Sequence, residues 1–215
     1  MFVRDRMSSP AVTITPSTTF PDALQLMRKH QFRRLPVVDT KGRLVGIVSE
    51  RDLMYAAPSS ATSLSIWEVH YLLAKLRADK IMTTDVITTT PDTPVEDAAR
   101  MMVARKIGGL PVVNEHGAVV GMITETDIFQ AFVEMFASGH PGVRLTLEIL
   151  AEKGVLLELS KTIHDLGGTI MSVGSFDGHR PGERGLVVKV RGVDRDRLVR
   201  AFDTLGDHVV DARDV

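Results

Sequence analysis

Gly46-Ile47-Val48-Ser49-Glu50-Arg51-Asp52 and Gly121-Met122-Ile123-Thr124-Glu125-Thr126-Asp127 are one phrase written twice, 75 positions apart. The correspondence runs without a gap over residues 7–52 and 82–127. Met7, Thr13, Thr15, Pro16, Thr18, Asp22, Ala23 and Met27 all recur, as do Gly42, Val45, Gly46, Glu50 and Asp52. Leu35-Pro36-Val37-Val38 returns as Leu110-Pro111-Val112-Val113. These are 17 identities in 46 aligned positions, where unrelated sequence gives about three at a match rate of ~6%. The first part of the chain is therefore two copies of one module. Each copy closes on a hydroxyl and a carboxylate three residues apart, at a strand-to-helix junction. That pair suits a phosphorylated sugar, with the hydroxyl toward phosphate and the carboxylate toward ribose.

Working outward, each copy carries the same signals. Val12-Thr13-Ile14-Thr15 and Val86-Ile87-Thr88-Thr89 are β-branched runs that stop before or near Pro16 and Pro91, which predicts short strands. Residues 22–30 and 97–105 are rich in helix formers. Ala23, Leu26 and Met27, and Ala98, Met101 and Met102, recur at helical spacing. Pro36–Asp39 and Arg43–Val48 then read as two strands around a Lys41-Gly42 turn, with a helix from Asp52. The order per copy is strand, helix, strand, strand, helix.

Between the copies, Ala57–Ser63 reads as a loop. Ser65 and Glu68 form a capping box for a helix striped by Ile66, Val69, Leu73 and Leu76. Beyond the linker Gly139-His140-Pro141-Gly142 the pattern changes. Val143, Leu145, Leu147 and Ile149 alternate with polar residues, a half-buried strand. A helix marked by Val155, Leu156, Leu159, Ile163 and Leu166 follows the Gly154 turn and stops at Gly167-Gly168. Two strands, 169–176 and 186–191, flank a polar hairpin loop. Asp194 caps a helix that Gly206 ends, and 208–212 is a last strand. The order β-α-β-β-α-β is a ferredoxin-like split βαβ unit. The fold class is α+β, divided as 1–62, a linker helix at 63–78, 79–137, and 142–215.

Composition excludes several functions. The 215 residues are 44% apolar and 25% charged, with net charge -1 and no cysteine. No disulfide framework or thiolate chemistry is available, and no basic block offers a footprint for nucleic acid. No apolar run reaches the ~20 residues of a membrane span, and the N-terminus lacks a signal peptide's apolar stretch. The expected location is the cytoplasm. The seven histidines lack metal-ligand spacing. Neither a Gly-x-Ser-x-Gly elbow nor a Walker-type phosphate loop occurs. The expectation is a protein without catalytic activity, metal or required cofactor.

The two copies resemble a tandem pair of CBS domains, the Bateman module. The resemblance rests on Met7 and Met82, on Thr13–Pro16 and Thr88–Pro91, on Leu35–Asp39 and Leu110–Asn114, and on the two closing turns. The C-terminal segment resembles an ACT domain through Glu152-Lys153-Gly154-Val155-Leu156 and Leu166-Gly167-Gly168-Thr169-Ile170, with Lys153 where that family usually has proline. The combination resembles the acetoin-utilisation family of CBS–ACT proteins.

The resemblance implies an adenine nucleotide (AMP, ADP or ATP) or S-adenosylmethionine held in clefts between the repeats. Asp52 and Asp127 would then take ribose hydroxyls, and Ser49 and Thr124 phosphate. The backbone of Thr13 and Ile14, and of Thr88 and Thr89, would line the adenine. Arg33 and Arg34 in one copy and Gly108 and Gly109 in the other would approach phosphate, making the cleft that uses the arginines the better anion site. For the ACT-like segment it implies a ligand near Glu152, Lys153, Gly154, Val155 and Leu156, or a role in assembly alone. It also implies a homodimer that regulates some other protein. Plainer roles stand beside these. Asp52 and Asp127 are favoured helix caps, and Arg33-Arg34 suits the solvated C-terminal end of a helix. A scaffold with empty clefts is the rival to nucleotide sensing.

Overall fold

The computed structural model describes residues 1–56, 65–150, 154–178, 182–206 and 208–215. The expected loop at 57–63, Glu152 and Lys153, and the centre of the hairpin loop at 179–181 lie outside these. Two compact units, Met1–Phe129 and Gln130–Val215, divide the chain.

In the first unit each repeat places a helix beside a two-stranded antiparallel ladder. Repeat one has α1 (Phe20–His30), β1 (Arg34–Val38), β2 (Leu44–Ser49) and α2 (Glu50–Ala56). After α3 (Ile66–Lys75) and the single turn α4 (Ala78–Ile81), repeat two has α5 (Val95–Arg105), β3 (Gly109–Val113), β4 (Val119–Thr124) and α6 (Glu125–Met135), whose residues from Gln130 on belong to the second unit. The strands pair in matching register, Leu35 with Val48 and Leu110 with Ile123, and each pair slips before its last position. The run expected as a first strand shrinks to one parallel bridge, Ile14 to Val37 and Thr89 to Val112. Only that residue exchanges backbone bonds with the ladder: Ile14 N–H donates to Pro36 and its carbonyl accepts from Val38. The prolines at 16 and 91 cannot extend the pairing.

Both helices end on a left-handed residue without glycine, Gln31 at φ 56° and Lys106 at φ 53°. Thr19 caps α1, its hydroxyl accepting from Asp22 N–H. The Ser65 capping box of α3 is present, yet α3 buries none of its residues, and Trp67 is 82% exposed. Of the expected stripe, Leu73 and Leu76 reach the core of repeat one, whereas Ile66 is exposed.

The repeats exchange their leading segments. Val3 is fully buried in the core of repeat two, among Ala98, Met102, Leu110, Val112 and Ile123. Ala78 is buried in the core of repeat one, among Ala23, Met27, Leu35 and Val48. Matching backbone bonds seal both exchanges: Ser8 with Met122, and Thr83 with Ile47. The exchange explains two of the repeated identities. A Cβ added at Gly46 would lie 2.5 Å from Sδ of Met82, and one at Gly121 2.7 Å from Sδ of Met7. Each conserved pair of the duplication, methionine and glycine, is a methionine from one repeat laid on a bare strand of the other. Met7 and Met82 are only partly buried, but together with Val3 and Ala78 they mean that neither repeat completes its core alone.

The second unit is a four-stranded antiparallel sheet in the order β6-β7-β5-β8. Its strands are β5 (Val143–Leu150), β6 (Thr169–Asp177), β7 (Glu183–Arg191) and β8 (His208–Asp214). The helices α7 (Val155–Asp165) and α8 (Arg195–Leu205) follow β5 and β7, giving the element order β-α-β-β-α-β. Alternation sets the faces. Val143, Leu145 and Leu147 bury against Leu159, Ile163, Leu198 and Phe202. Leu156 falls on the other side of α7 and is exposed. Gly154, at φ 98°, supplies the left-handed turn into α7. Asp194 caps α8 by accepting from the N–H groups of Asp196 and Arg197.

Candidate functional site

The repeated closing turn is a structural device first. Ser49 N–H and Oγ–H both donate to Oδ2 of Asp52, at 2.7 and 2.6 Å, and Asp52 N–H returns to Ser49 Oγ at 3.3 Å. Thr124 repeats the pattern, its N–H and Oγ1–H each 2.7 Å from Oδ2 of Asp127. The helices therefore begin at Glu50 and Glu125, and not at the aspartates as the sequence suggested. Ser49 and Thr124 take the cap position, and the aspartates close a capping box from the third helical residue. The box fixes each carboxylate. Oδ1 of both aspartates accepts no bond among the described residues. Each hydroxyl is engaged with its carboxylate and would have to turn to donate to a phosphate.

Both turns open onto cavities made by two repeats at once. The first cleft has a volume of about 670 Å³. Ser49, Arg51 and Asp52 of repeat one face Asp85, Val86, Ile87 and Lys106 of repeat two across it. The second cleft, about 360 Å³, sets Thr124, Thr126 and Asp127 against Pro10, Ala11, Val12, Gln31 and Phe32. Each volume falls within the range of small-molecule sites. The exchange of leading segments is what carries residues 10–12 and 85–87 to the opposite repeat's turn.

Four expected residues are not at either wall. Thr13, Ile14, Thr88 and Thr89 sit past the edge, and the wall is formed two residues earlier, by Ala11-Val12 and Val86-Ile87. The reason is the bridge: Ile14 and Thr89 are buried and spend their backbone groups on β1 and β3. The β-branched run marks the segment as extended, but nothing in its composition marks where pairing starts.

The arginines do not belong to one cleft. Arg33 and Arg34 border both. Arg34 Nη1 donates to the Gly108 carbonyl at 3.0 Å. A Cβ on Gly108 would lie 2.8 Å from both Arg34 Nη2 and Glu125 Oε2. The two unlike pairs at this aligned position thus fit each other: one repeat's arginine fills the space the other's glycine leaves. Burial pulls the Arg34 guanidinium below its usual value, opposed by Glu125 beside it. Gly108 borders the second cleft and Gly109 the first. Charge asymmetry comes from other positions. The first cleft has Arg51 and Lys106 where the second has Thr126 and Gln31, a difference the aligned sequence already contains.

Among the described residues no group of acidic, histidine or cysteine side chains has the geometry of a metal site. No described helix is long and apolar enough to cross a membrane. In the C-terminal unit Gly154, Val155 and Leu156 form the start of α7, and Glu152 and Lys153 lie outside the described residues.

The family model for the CBS domain matches residues 3–59 and 78–134. A CBS domain pair solved in complex with 5′-methylthioadenosine and S-adenosyl-L-methionine is 32% identical, covering 61% of this chain and 95% of that one, with a TM-score of 0.52. The protein CBSX2 in complex with AMP is 30% identical over 61% of this chain and 96% of its own, TM-score 0.52. A Vibrio cholerae protein described as an acetoin utilization protein is 33% identical over 62% of this chain and 90% of its own, TM-score 0.53.

Proposed function

The chain belongs to the CBS domain family, and from that premise we propose that it is a non-catalytic regulatory protein whose repeat pair binds an adenosyl ligand. The observation that carries this reading is the pair of clefts, each closed by a fixed carboxylate with one oxygen unspent. Asp52 and Asp127 would accept from ribose hydroxyls. Ile47 and Ile87 in the first cleft, and Val12 and Phe32 in the second, offer apolar walls for a base. Arg33 and Arg34 stand near enough to both clefts to draw phosphate charge toward either. Similar pairs are solved with AMP and with adenosyl sulfur compounds, so ligands of this class are the first to try.

The C-terminal unit is read as ACT-like on its element order and strand order. Its part is to aid dimerisation or to receive a second small ligand. The assembly is a homodimer in the cytoplasm acting on another protein. The edge strands β6 and β8 leave backbone groups open to pairing with a second copy. The exposed Trp67 and Tyr71 of α3 add an apolar surface of the kind that partners cover.

Titration calorimetry of the full chain with AMP, ADP, ATP and S-adenosylmethionine tests the ligand. Saturable binding of any of these, lost on substitution of Asp52 or Asp127, supports the reading. No heat and no thermal shift with all four leaves a scaffold with empty clefts. Sedimentation velocity of the full chain against one ending at Ala137 tests assembly, with weaker self-association of the shorter chain expected.

A further inference from the structure

The face of the C-terminal sheet turned away from α7 and α8 carries an uncommon row. Strand register sets Ser172 opposite Lys189, and Lys189 opposite Arg144. Side chains directly opposite on one face stand about 4.5–5.5 Å apart at Cβ, and like charges so placed repel. Lys189 is nevertheless only 5% exposed. Its ammonium donates to one protein acceptor among the described residues, the Ala137 carbonyl at 2.9 Å. Two of its three donors are left over. Ser172 is 7% exposed, and its Oγ has no hydrogen-bond partner among the described residues. Arg144 is better served, by Thr146 at 3.0 Å and Asp211 at 3.4 Å, though Asp211 is chiefly engaged by Arg213 at 2.7 and 2.8 Å.

Arg144, Ser172 and Lys189 share one cavity. It has a volume of about 490 Å³ and lies wholly within this unit. Its other walls are aromatic: Phe176 from β6, and Phe132 and Phe136 from the end of α6 and the residues after it. The Phe136 ring lies against Gly174, where no Cβ would fit. No acidic side chain lines the cavity among the described residues. Unspent donors on a buried cation, an orphaned hydroxyl beside it and aromatic walls together specify an anion with an apolar body. A buried polar group without a partner destabilises the fold, and such an anion would satisfy it.

We propose that this cavity binds a small organic monocarboxylate bearing an aryl or branched alkyl group. Its carboxylate accepts from Lys189 Nζ and Ser172 Oγ, and its apolar end packs on Phe132, Phe136 and Phe176. The absence of an acidic side chain disfavours a zwitterion, whose ammonium would lack a counter-charge. Gly154, Val155 and Leu156 do not line the cavity, and it gives the second-input role a chemistry without depending on nucleotide binding.

The test is calorimetry of the full chain with phenylacetate and 3-methylbutanoate, against phenylacetamide, 3-methylbutanamide and leucine. Saturable binding of the carboxylates is expected, with amides and leucine at least about tenfold weaker, the loss of one charge-assisted hydrogen bond. Ser172→Ala and Lys189→Met should each weaken the carboxylates by about tenfold or more. Thermal melting checks that Lys189→Met folds. If it does not, Ser172→Ala decides, since it removes one oxygen and adds nothing. Absence of saturable binding, equal affinity for the amides, or unchanged affinity in Ser172→Ala overturns the assignment. So does competition by AMP, which would put the carboxylate in the repeat clefts.

Discussion

The two clefts come from one duplicated module and have diverged where the duplication tolerated it. Both are closed by the same capping box, with hydroxyl and carboxylate 2.6 Å apart in one and 2.7 Å in the other. Both take a wall from the other repeat's leading segment. Yet the first is about 670 Å³ and the second about 360 Å³. Arg51 and Lys106 border the larger, Thr126 and Gln31 the smaller. Ile107 in the first corresponds to Phe32 in the second, and Asp85 to Pro10. What the copies share holds helix to strand and repeat to repeat. Several of the residues they do not share lie on the cavity walls, beside the shared aspartates. Ligand preference in a duplicated scaffold is thus to be sought at the positions that fail to align.

Removing the shared carboxylates should have the largest effect on binding. Asp52→Ala and Asp127→Ala should each cost about 1.5–3 kcal/mol in adenosyl-ligand affinity at its own cleft, the worth of a hydrogen bond to a charged group. Calorimetry on each variant separates the clefts. Unchanged affinity in both would reduce the aspartates to helix caps. Asp→Asn variants help here, because asparagine keeps an acceptor for the cap and loses the charge.

The exchanged segments offer the next comparison. At Gly121 a new Cβ meets the Ser8 carbonyl at 2.9 Å as well as Met7. At Gly46 the corresponding carbonyl, of Thr83, is 3.1 Å away. A methionine side chain can shift, but a backbone carbonyl held by a strand bond yields less. Gly121→Ala should therefore destabilise more than Gly46→Ala, within the ~1–3 kcal/mol typical of overpacking. Urea unfolding of both variants checks the order, and equal midpoints would mean the methionines absorb the whole strain.

The duplication made the repeat architecture legible, because identities at a fixed offset report shared packing. Leu35, Val37, Leu110 and Val112 are the buried face of the ladders, as the repeated Leu-Pro-Val-Val predicts. The alternation over Val143–Ile149 likewise marked a buried strand face. The exchange of leading segments was not legible. Met7 and Met82 recur, but a recurring methionine does not say which copy it packs against. The cleft walls were displaced by two residues for a related reason: a β-branched run shows that a segment is extended, and only a partner strand shows where it bonds. That Arg34 borders both clefts is a three-dimensional fact, since glycine in one repeat makes room for arginine from the other. The Lys189 row was hidden by register, since Ser172, Lys189 and Arg144 come from three strands far apart in sequence.

Charge at the unlike wall positions should give a smaller effect. Lys106→Gln and Arg51→Thr make the first cleft resemble the second. If the first cleft prefers more phosphate charge, the pair of changes should narrow the ATP-to-AMP affinity ratio by roughly 0.2–1 kcal/mol per exposed contact. Adenosine affinity should hardly move. Added salt should narrow the ratio in the unaltered chain, because exposed charges are screened over about 8–10 Å near physiological ionic strength. Parallel losses for adenosine, AMP and ATP would show the two cations to be structural. Arg34→Gln is the contrasting variant. It breaks the bond to Gly108 between the clefts, so it should perturb both clefts together and lower stability.

The smallest difference concerns the turn between the ladder strands, where Asp39 in one repeat is Asn114 in the other. Both side chains cap the same loop. Asp39 Oδ1 accepts from Lys41 N–H at 2.8 Å and Arg43 N–H at 2.9 Å, and Asn114 Oδ1 accepts from His116 and Ala118 N–H at 3.0 Å each. Only one of them titrates. The bond from the Arg43 backbone, reinforced by the Arg43 guanidinium, holds the Asp39 carboxyl below its ordinary value of 3.8. A carboxyl depressed in the folded state stabilises that state above its ordinary value and loses the contribution as pH falls through the depressed one. Acid should therefore loosen the turn of repeat one and leave the turn of repeat two intact. Following the backbone amide resonances of Arg43 and Ala118 from neutral pH into acid makes the comparison within one sample. The Arg43 amide should move with a midpoint below 3.8, while Ala118 stays in place until the chain unfolds. In Asp39→Asn the two amides should behave alike. If both move together in the unaltered chain, the acid response is global unfolding and the two turns are equivalent despite the charge.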